Sequence, residues 1–394
     1  MILLARVRLF VIRMIMYPFL YILGKVLKTD SKIILFSSFK GKSYSGNPRY
    51  LFEYLRKTEK FSDYDCVWAF KNECFIEGAK TVKFNSLKYY YYLTKAKYWI
   101  FNSKMAPYYY KKPDQIYLQT WHGVPLKRLG HDIVDNGSTY YRSKQSYKSM
   151  VKSYDKDSEH WDYLIASSPF SSQVFETAFA FPTEKMLNVG YPRVEYLLDS
   201  ETSKVLALKK KYKLPTNKKI ILYAPTWRDH SFGSSGYTFE LNVDFYKWKR
   251  KLGEDSVILF KPHYLISNTY EVPDDLKDYV FLMSANQDIN DAYLMSDILI
   301  TDYSSVFFDY AQLQKPIYFY MYDFEHYAQE LRGFYLNVPE DLPNDVVKTE
   351  EELLETLQDN CFDYQRLQDF NQKFNPWNDG RACEKIIRKV FNEV

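Results

Sequence analysis

Ten short apolar runs, alternating with segments of helical character, constrain this chain more than any other feature. KIILFSS (32–38), CVWAF (66–70), YWIFNS (98–103), IYLQTW (116–121) and DYLIAS (162–167) form a first series, with helices expected near Pro48–Arg56 and Leu87–Lys95. After a break around GYPRVEYLLDSETSK, a second series follows: KIILYAPTW (219–227), VILFKPH (257–263), YVFLM (279–283), DILITDYSS (297–305) and PIYFYMYD (316–323). Strand-like runs alternating with helices predict parallel sheets with helices on both faces, hence an α/β fold of two doubly wound halves joined near residues 195–215. In such sheets ligands collect at the carboxyl ends of the strands, and the short polar motifs stand there.

The length of 394 residues suits two domains of ordinary size. With 46% hydrophobic and 26% charged residues the chain is globular rather than disordered. A net charge of +4 gives no whole-molecule field for polyanions, so no nucleic acid is expected and any anionic partner must meet a local basic patch. Cys66, Cys74, Cys361 and Cys383 have no metal or redox spacing and are expected to be free thiols. No signal of oligomeric state is present.

The N-terminal segment, residues 1–28, is apolar but punctuated by Arg6, Arg8, Arg13, Lys25 and Lys28. Its longest uncharged stretch, Met14 to Gly24, is too short for the ~30 Å of a bilayer core, so a transmembrane helix is not expected. At about 100° per residue Arg6, Arg13, Lys25 and Lys28 share one sector, with Arg8 outside it. That pattern suits an amphipathic helix lying in an anionic membrane surface, or one packed on protein. No cleavage site for a signal peptide follows. A second basic feature is the ridge Lys144, Lys148, Lys152 and Lys156, with Arg142 near its start. It reads either as a solvated helix face or as a rail for phosphates.

Three motifs carry candidate chemistry. In LITDYSSVFFDYAQL (299–313) a strand ends in a Ser-Ser pair before a helical segment, placing Ser304 and Ser305 where backbone N–H groups can bind phosphate. The alternative is an ordinary serine cap. Asp309, one turn further, could reach a ribose hydroxyl. LQTWHGV (118–124) and LFKPHYL (259–265) place His122 and His263 at matching strand ends, open to structural, ligand or base roles. APTWRDH (224–230) puts Arg228 at another strand end, suited to pairing with a phosphate. No H-x-x-x-H or H-E-x-x-H spacing occurs, so no metal is expected. G-x-x-x-x-G-K-S/T, G-x-G-x-x-G and G-x-S-x-G are also absent, which removes the usual support for a P-loop kinase, a dinucleotide dehydrogenase and a serine hydrolase.

Taken in order, SSFKGKSYSGNPRYLFEYL, QTWHGVPLKRLG, GYPR, YAPTWR, FKPH, SDILITDYSSVFFDYAQLQKPIYFY and LRGFY resemble the CDP-glycerol glycerophosphotransferase family of teichoic acid primases and polymerases. The resemblance runs from about residue 33 to about residue 340. It departs at SGNP, with Gly46 where many members carry an acid, and at LPND. It implies a GT-B fold: a membrane-associating helix (1–28), an N-terminal Rossmann-like acceptor domain (29–198) and a C-terminal donor domain (199–394), with the last helix able to pack back on the N-terminal domain. It also implies an enzyme at the cytoplasmic face of the membrane, peripheral, that needs no cofactor. Such an enzyme moves a polyol phosphate from CDP-glycerol or CDP-ribitol to an undecaprenyl-diphosphate-linked acceptor and releases CMP. Glycerol is the expected polyol; a ribitol donor, or a GT-B glycosyltransferase using a nucleotide sugar, is the alternative.

Residue by residue, the resemblance implies His122 as general base, with Gly123 beside it, and His263 at the donor pyrophosphate. Arg228, Thr301, Ser304 and Ser305 are implied to hold the donor phosphates, Asp302 to organise that loop, and Asp309 to meet the ribose. An imidazole of ordinary pKa, about 6.5, can take a proton from a polyol hydroxyl at neutral pH. Fixed cations and N–H donors then stabilise the phosphoryl transition state.

Overall fold

In the computed structural model the two apolar series form two parallel sheets. The structure describes residues 2–135, 146–226, 232–233, 236–237, 241–262, 270–284, 287–324 and 333–392, with backbone alone for 2–13, 232–233 and 236–237. The first lobe contains β1 (Asp30–Ser37), β2 (Asp65–Phe70), β3 (Lys80–Lys83), β4 (Ala96–Phe101), β5 (Ile116–Gln119), β6 (Tyr163–Ala166) and β7 (Met186–Asn188). Its helices are α1 (Ile2–Val26), α2 (Gly46–Lys57), α3 (Leu87–Lys95), α4 (Tyr147–Ser158), α5 (Pro169–Ala178) and α6 (Pro192–Leu198). After α7 (Thr202–Lys211), the second lobe contains β8 (Lys219–Tyr223), a short hairpin of β9 (Phe232–Gly233) and β10 (Gly236–Tyr237), β11 (Ser256–Phe260), β12 (Val280–Leu282), β13 (Ile298–Thr301), β14 (Ile317–Tyr320) and β15 (Val346–Val347). Its helices include α8 (Phe245–Leu252), α9 (Ile289–Met295) and α10 (Val306–Ala311).

The first sheet is seven-stranded, in the order β3-β2-β1-β4-β5-β6-β7, and the second six-stranded, in the order β12-β11-β8-β13-β14-β15. Neighbouring strands in both pair in parallel. Continuous apolar runs suit this arrangement, because a parallel strand covered on both faces has no polar side; all of β11 is buried, for example. The strands without a strong apolar run, β3, β7 and β15, are edge strands. Being short and partly exposed, an edge strand such as β3 needs no continuous apolar sequence. In each sheet the strand order reverses beside the first strand, between β1 and β4 and between β8 and β13, which makes these carboxyl ends switch points.

One buried apolar cluster runs through both lobes, from Ile34 and Trp68 to Leu299 and Phe307. The final helix, Ala382–Val390, lies against the first lobe: the Cys383 amide donates to Glu195 at 2.8 Å, and the Phe391 ring centroid is 4.2 Å from that of Tyr98. The four cysteines are free thiols.

Helix α1 has two apolar sides. Leu20 is buried, and Met16 and Leu23 pack against the first-lobe core. Gly24 permits the close approach to Tyr110, since a Cβ there would lie 2.8 Å from its ring. On the other side Ile15, Ile22 and Val26 are 62%, 62% and 72% exposed. Among the described residues no helix is long and apolar enough to cross a membrane. On α4, Lys148 and Lys152 face solvent and Lys156 is half-buried; Lys144 and Arg142 lie outside the described residues.

Candidate active site

The carboxyl ends of β5 and β13 face each other across the lobes. At the end of β5 the chain turns through Trp121, whose φ of +49 is left-handed, an uncommon state for a bulky residue and a form of backbone strain. Local bonds hold the turn. The Trp121 amide donates to Gln119 Oε1 at 3.0 Å, and buried Asn47 Nδ2 donates to the carbonyl of Thr120 at 2.9 Å. Tyr191 Oη donates to the Gly123 carbonyl at 3.1 Å. Downstream, Lys127 pairs with Phe334, and the Arg128 amide donates to the Gly333 carbonyl at 3.0 Å. The histidine loop is thus clamped to both lobes.

His122 is fixed through one nitrogen. Its Nδ1 lies 2.8 Å from the Asn102 carbonyl, which can only accept, so Nδ1 carries the proton and the neutral ring keeps a lone pair on Nε2. The indole of Trp121 stacks on it at 4.4 Å. The ring is open to the cleft but walled by protein on its other sides. The residue as a whole is exposed, but the protein packed around the ring desolvates it and pushes its pKa down to about 4; the Asn102 bond opposes the shift and the Arg193 charge adds to it. Among the other described histidines, His131 pairs with Asp155 at 2.6 Å, and His160 bonds the Lys156 carbonyl at 2.7 Å.

The second lobe brings Ser305 to the same place. A Cβ on Gly123 would stand 3.2 Å from Ser305 Oγ and 3.8 Å from an Arg193 terminal nitrogen, so glycine allows this approach. Ser305 is the N-cap of α10, yet its side chain makes no capping bond, and Ser304 and Ser305 are both half-buried. Thr301 is fully engaged beneath them: its hydroxyl donates to the Ala224 carbonyl at 2.8 Å. Asp302 accepts from the Thr226 amide at 2.8 Å, tying the end of β8 to the end of β13.

Asp309 departs from the ribose expectation. Both its oxygens are held by Arg193, at 2.7 and 2.9 Å, and the two side chains are only 8% and 7% exposed. A carboxylate so occupied is a lobe-to-lobe tie and not an open ribose acceptor. Burial alone would disfavour the Arg193 charge, but Asp309 outweighs it and holds the guanidinium above its ordinary pKa. Arg193 itself was visible in GYPR without an assigned role. Its amide lies 3.3 Å from Asn47 Oδ1, so Asn47, from SGNP, connects it to the histidine loop. A second tie joins Arg49 to Asp288 at 3.0 Å. Arg228 and His263 lie outside the described residues, and no group of metal-binding side chains occurs among the described ones.

The profile of the CDP-Glycerol:Poly(glycerophosphate) glycerophosphotransferase family matches residues 19–392. The teichoic acid poly(glycerol phosphate) polymerase of Bacillus subtilis (strain 168) is 35% identical over 95% of this chain, which spans about half (50%) of that relative's length. The teichoic acid glycerol-phosphate transferase of Staphylococcus aureus (strain NCTC 8325 / PS 47) is 37% identical, over 92% of this chain and 93% of its own. A solved structure of the wall teichoic acid polymerase TagF superposes with a TM-score of 0.87 at 34% identity, covering 99% of this chain and 96% of that one. On the profile match and these relatives together, the chain belongs to the CDP-glycerol glycerophosphotransferase family.

Proposed function

We propose that this protein transfers glycerol phosphate from CDP-glycerol to a hydroxyl of a membrane lipid-linked teichoic acid precursor, releasing CMP, with His122 as general base. The observation that carries the reading is the fixed His122 tautomer, Nδ1–H on the Asn102 carbonyl, beside Gly123 and Ser305 at the lobe interface. A neutral Nε2 can take the acceptor's proton as the hydroxyl oxygen bonds to the β-phosphorus of the donor and the bond to the CMP oxygen breaks. A free-enzyme pKa near 4 makes the ring neutral but weakly basic; the negative charge of a bound pyrophosphate raises it when catalysis requires.

Ser304 and Ser305 supply hydroxyl and N–H donors for the donor phosphates, with Arg228 and His263 completing that set by their motif positions. Thr301 and Asp302 hold the loop from which the serines project. The two lobes form a GT-B arrangement, with the acceptor domain at 29–198 and the donor domain at 199–394. The exposed apolar side of α1, residues 15, 22 and 26, suits a peripheral contact with the cytoplasmic membrane surface. Glycerol is favoured over ribitol because glycerol-phosphate polymerases and a glycerol-phosphate transferase reach 34–38% identity, against 27–28% for relatives named for ribitol phosphate, with a glycerol-phosphate primase at 29%.

The test is incubation with labelled CDP-glycerol, CDP-ribitol or a UDP-sugar and a lipid-linked acceptor. CMP release and lipid labelling from CDP-glycerol are expected, and are lost in His122→Ala. Transfer from the UDP-sugar alone would reject the reaction, and normal turnover in His122→Ala would reject the base.

A further inference from the structure

A cavity of about 210 Å³ opens at the carboxyl ends of the first-lobe strands, lined by Lys40, Lys71 and Lys104 with Tyr89 and Tyr109 among its walls. No carboxylate lines it among the described residues. Its rim is contiguous with the base. Phe39, next to Lys40, lies 6.0 Å from the His122 ring, and Ser103 and Lys104 directly follow Asn102, whose carbonyl orients that ring. Lys40 belongs to three successive left-handed residues, Phe39, Lys40 and Gly41, with φ of +47, +57 and +77. Such a strained turn persists only where its surroundings enforce it, and it sets Lys40 at the cavity rather than leaving it on a free loop. Lys104 is braced by Ser153 Oγ at 2.8 Å and by the Tyr154 ring. Lys40 is exposed, yet the protein packed around it lowers its pKa; Asp157, bonded to the Met105 amide behind the cavity wall, opposes that shift and the neighbouring Lys71 adds to it.

We propose that this lysine-lined cavity binds a phosphate of the acceptor chain and so positions the acceptor's terminal hydroxyl at His122. The proposal rests on the reaction assigned above and names the acceptor subsite within it. Three lysines line a small concavity, Lys104 with its ammonium held at Ser153 and Tyr154 and Lys40 and Lys71 exposed, and there field focusing and charge-assisted hydrogen bonds favour a phosphodiester. An acceptor phosphate is favoured over a donor phosphate by position. The cavity lies in the lobe opposite Ser304–Ser305, and its walls Met105, Ala106 and Tyr109 also line a second cavity of about 520 Å³. That second cavity runs to Met14, Tyr17 and Pro18 of α1, so the lysines lie between the apolar helix and the base.

The experiment uses CDP-glycerol as donor and oligo(glycerol phosphate) of one to four units as acceptor, with uncharged oligoglycerol of equal length as control. In Lys40→Gln/Lys71→Gln, the acceptor KM and the Kd for oligo(glycerol phosphate), read by calorimetry, should rise about tenfold or more, the usual consequence of losing hydrogen bonds to a charged group. The donor KM should hold within about twofold, and the preference for charged over uncharged acceptor should fall. An unchanged acceptor Kd overturns the proposal. So does a rise in donor KM alone, or an equal loss in Lys148→Gln/Lys152→Gln, which removes the same charge from the exposed face of α4. Failure of the reaction assignment shows separately, as wild-type protein that transfers from a UDP-sugar alone and releases no CMP from CDP-glycerol with any acceptor.

Discussion

Arg193→Met tests the claim that a buried ion pair holds the histidine loop in register with the serine loop. The substitution keeps much of the side-chain volume but leaves Asp309 charged, 8% exposed and stripped of two donors at 2.7 and 2.9 Å. Removing one partner of a buried pair costs about 3–5 kcal/mol. With 394 residues and an unfolding entropy of about 2.1 cal/mol/K per residue, ~0.8 kcal/mol/K in all, that corresponds to a Tm lower by about 4–6 °C. The double variant Arg193→Met/Asp309→Leu removes both charges and should regain most of the loss, because the penalty lies in the unpaired carboxylate and not in the missing attraction. Differential scanning calorimetry of the wild type, both singles and the double gives the coupling directly. A second readout is the acidic limb of kcat/KM, which should move to higher pH in Arg193→Met, since that guanidinium depresses the His122 pKa. A single variant within 1 °C of wild type, or a double variant no better than the single, would refute the reasoning.

The free-enzyme His122 pKa of about 4 predicts kcat/KM flat from neutral pH down to about pH 5 and falling below it, with the acidic limb of kcat, which reports the substrate complex, displaced to higher pH. Because that value lies below the unfolded one of about 6.5, the unfolded chain binds the proton first, so the contribution of His122 to stability is complete above about pH 6.5 and is lost as pH falls toward 4. Gly123→Ala puts a methyl 3.2 Å from Ser305 Oγ and should raise the donor KM several-fold with little change in Tm; steady-state kinetics beside calorimetry separate the two. Asn47→Ala removes the donor to the Thr120 carbonyl at 2.9 Å and should cost about 1–3 kcal/mol by denaturant titration, with kcat lowered by up to ~10²-fold as the histidine shifts. Ile15→Gln/Ile22→Gln should weaken co-sedimentation with anionic liposomes and leave Tm unchanged, as both side chains are 62% exposed.

The sequence by itself determined the ten principal strands and their alternation with helices, because a strand buried on both faces must be apolar throughout and short polar motifs can follow only at its ends. The same patterning identified His122, Gly123 and the Ser304–Ser305 pair as strand-end residues. It could not reveal that they meet, since residues 123 and 305 become neighbours only when two sheets dock. Asp309 shows the limit most clearly. Its helical spacing from Ser305 is local and legible, but its partner Arg193 is 116 residues distant, and that pairing turns an apparent ribose acceptor into a structural tie. Asn47 and Asn102 were equally silent, because an asparagine gains its meaning from which distant carbonyl or ring it reaches. The lysine cavity follows the same rule: Lys40, Lys71 and Lys104 lie about 30 residues apart in the chain, unremarked by any charge run, and only the parallel order β2-β1-β4 sets the ends of their strands side by side. Local chemistry decides what each strand and turn can be; the docking of the sheets decides which polar groups lose their water together, and so which of them act on one another.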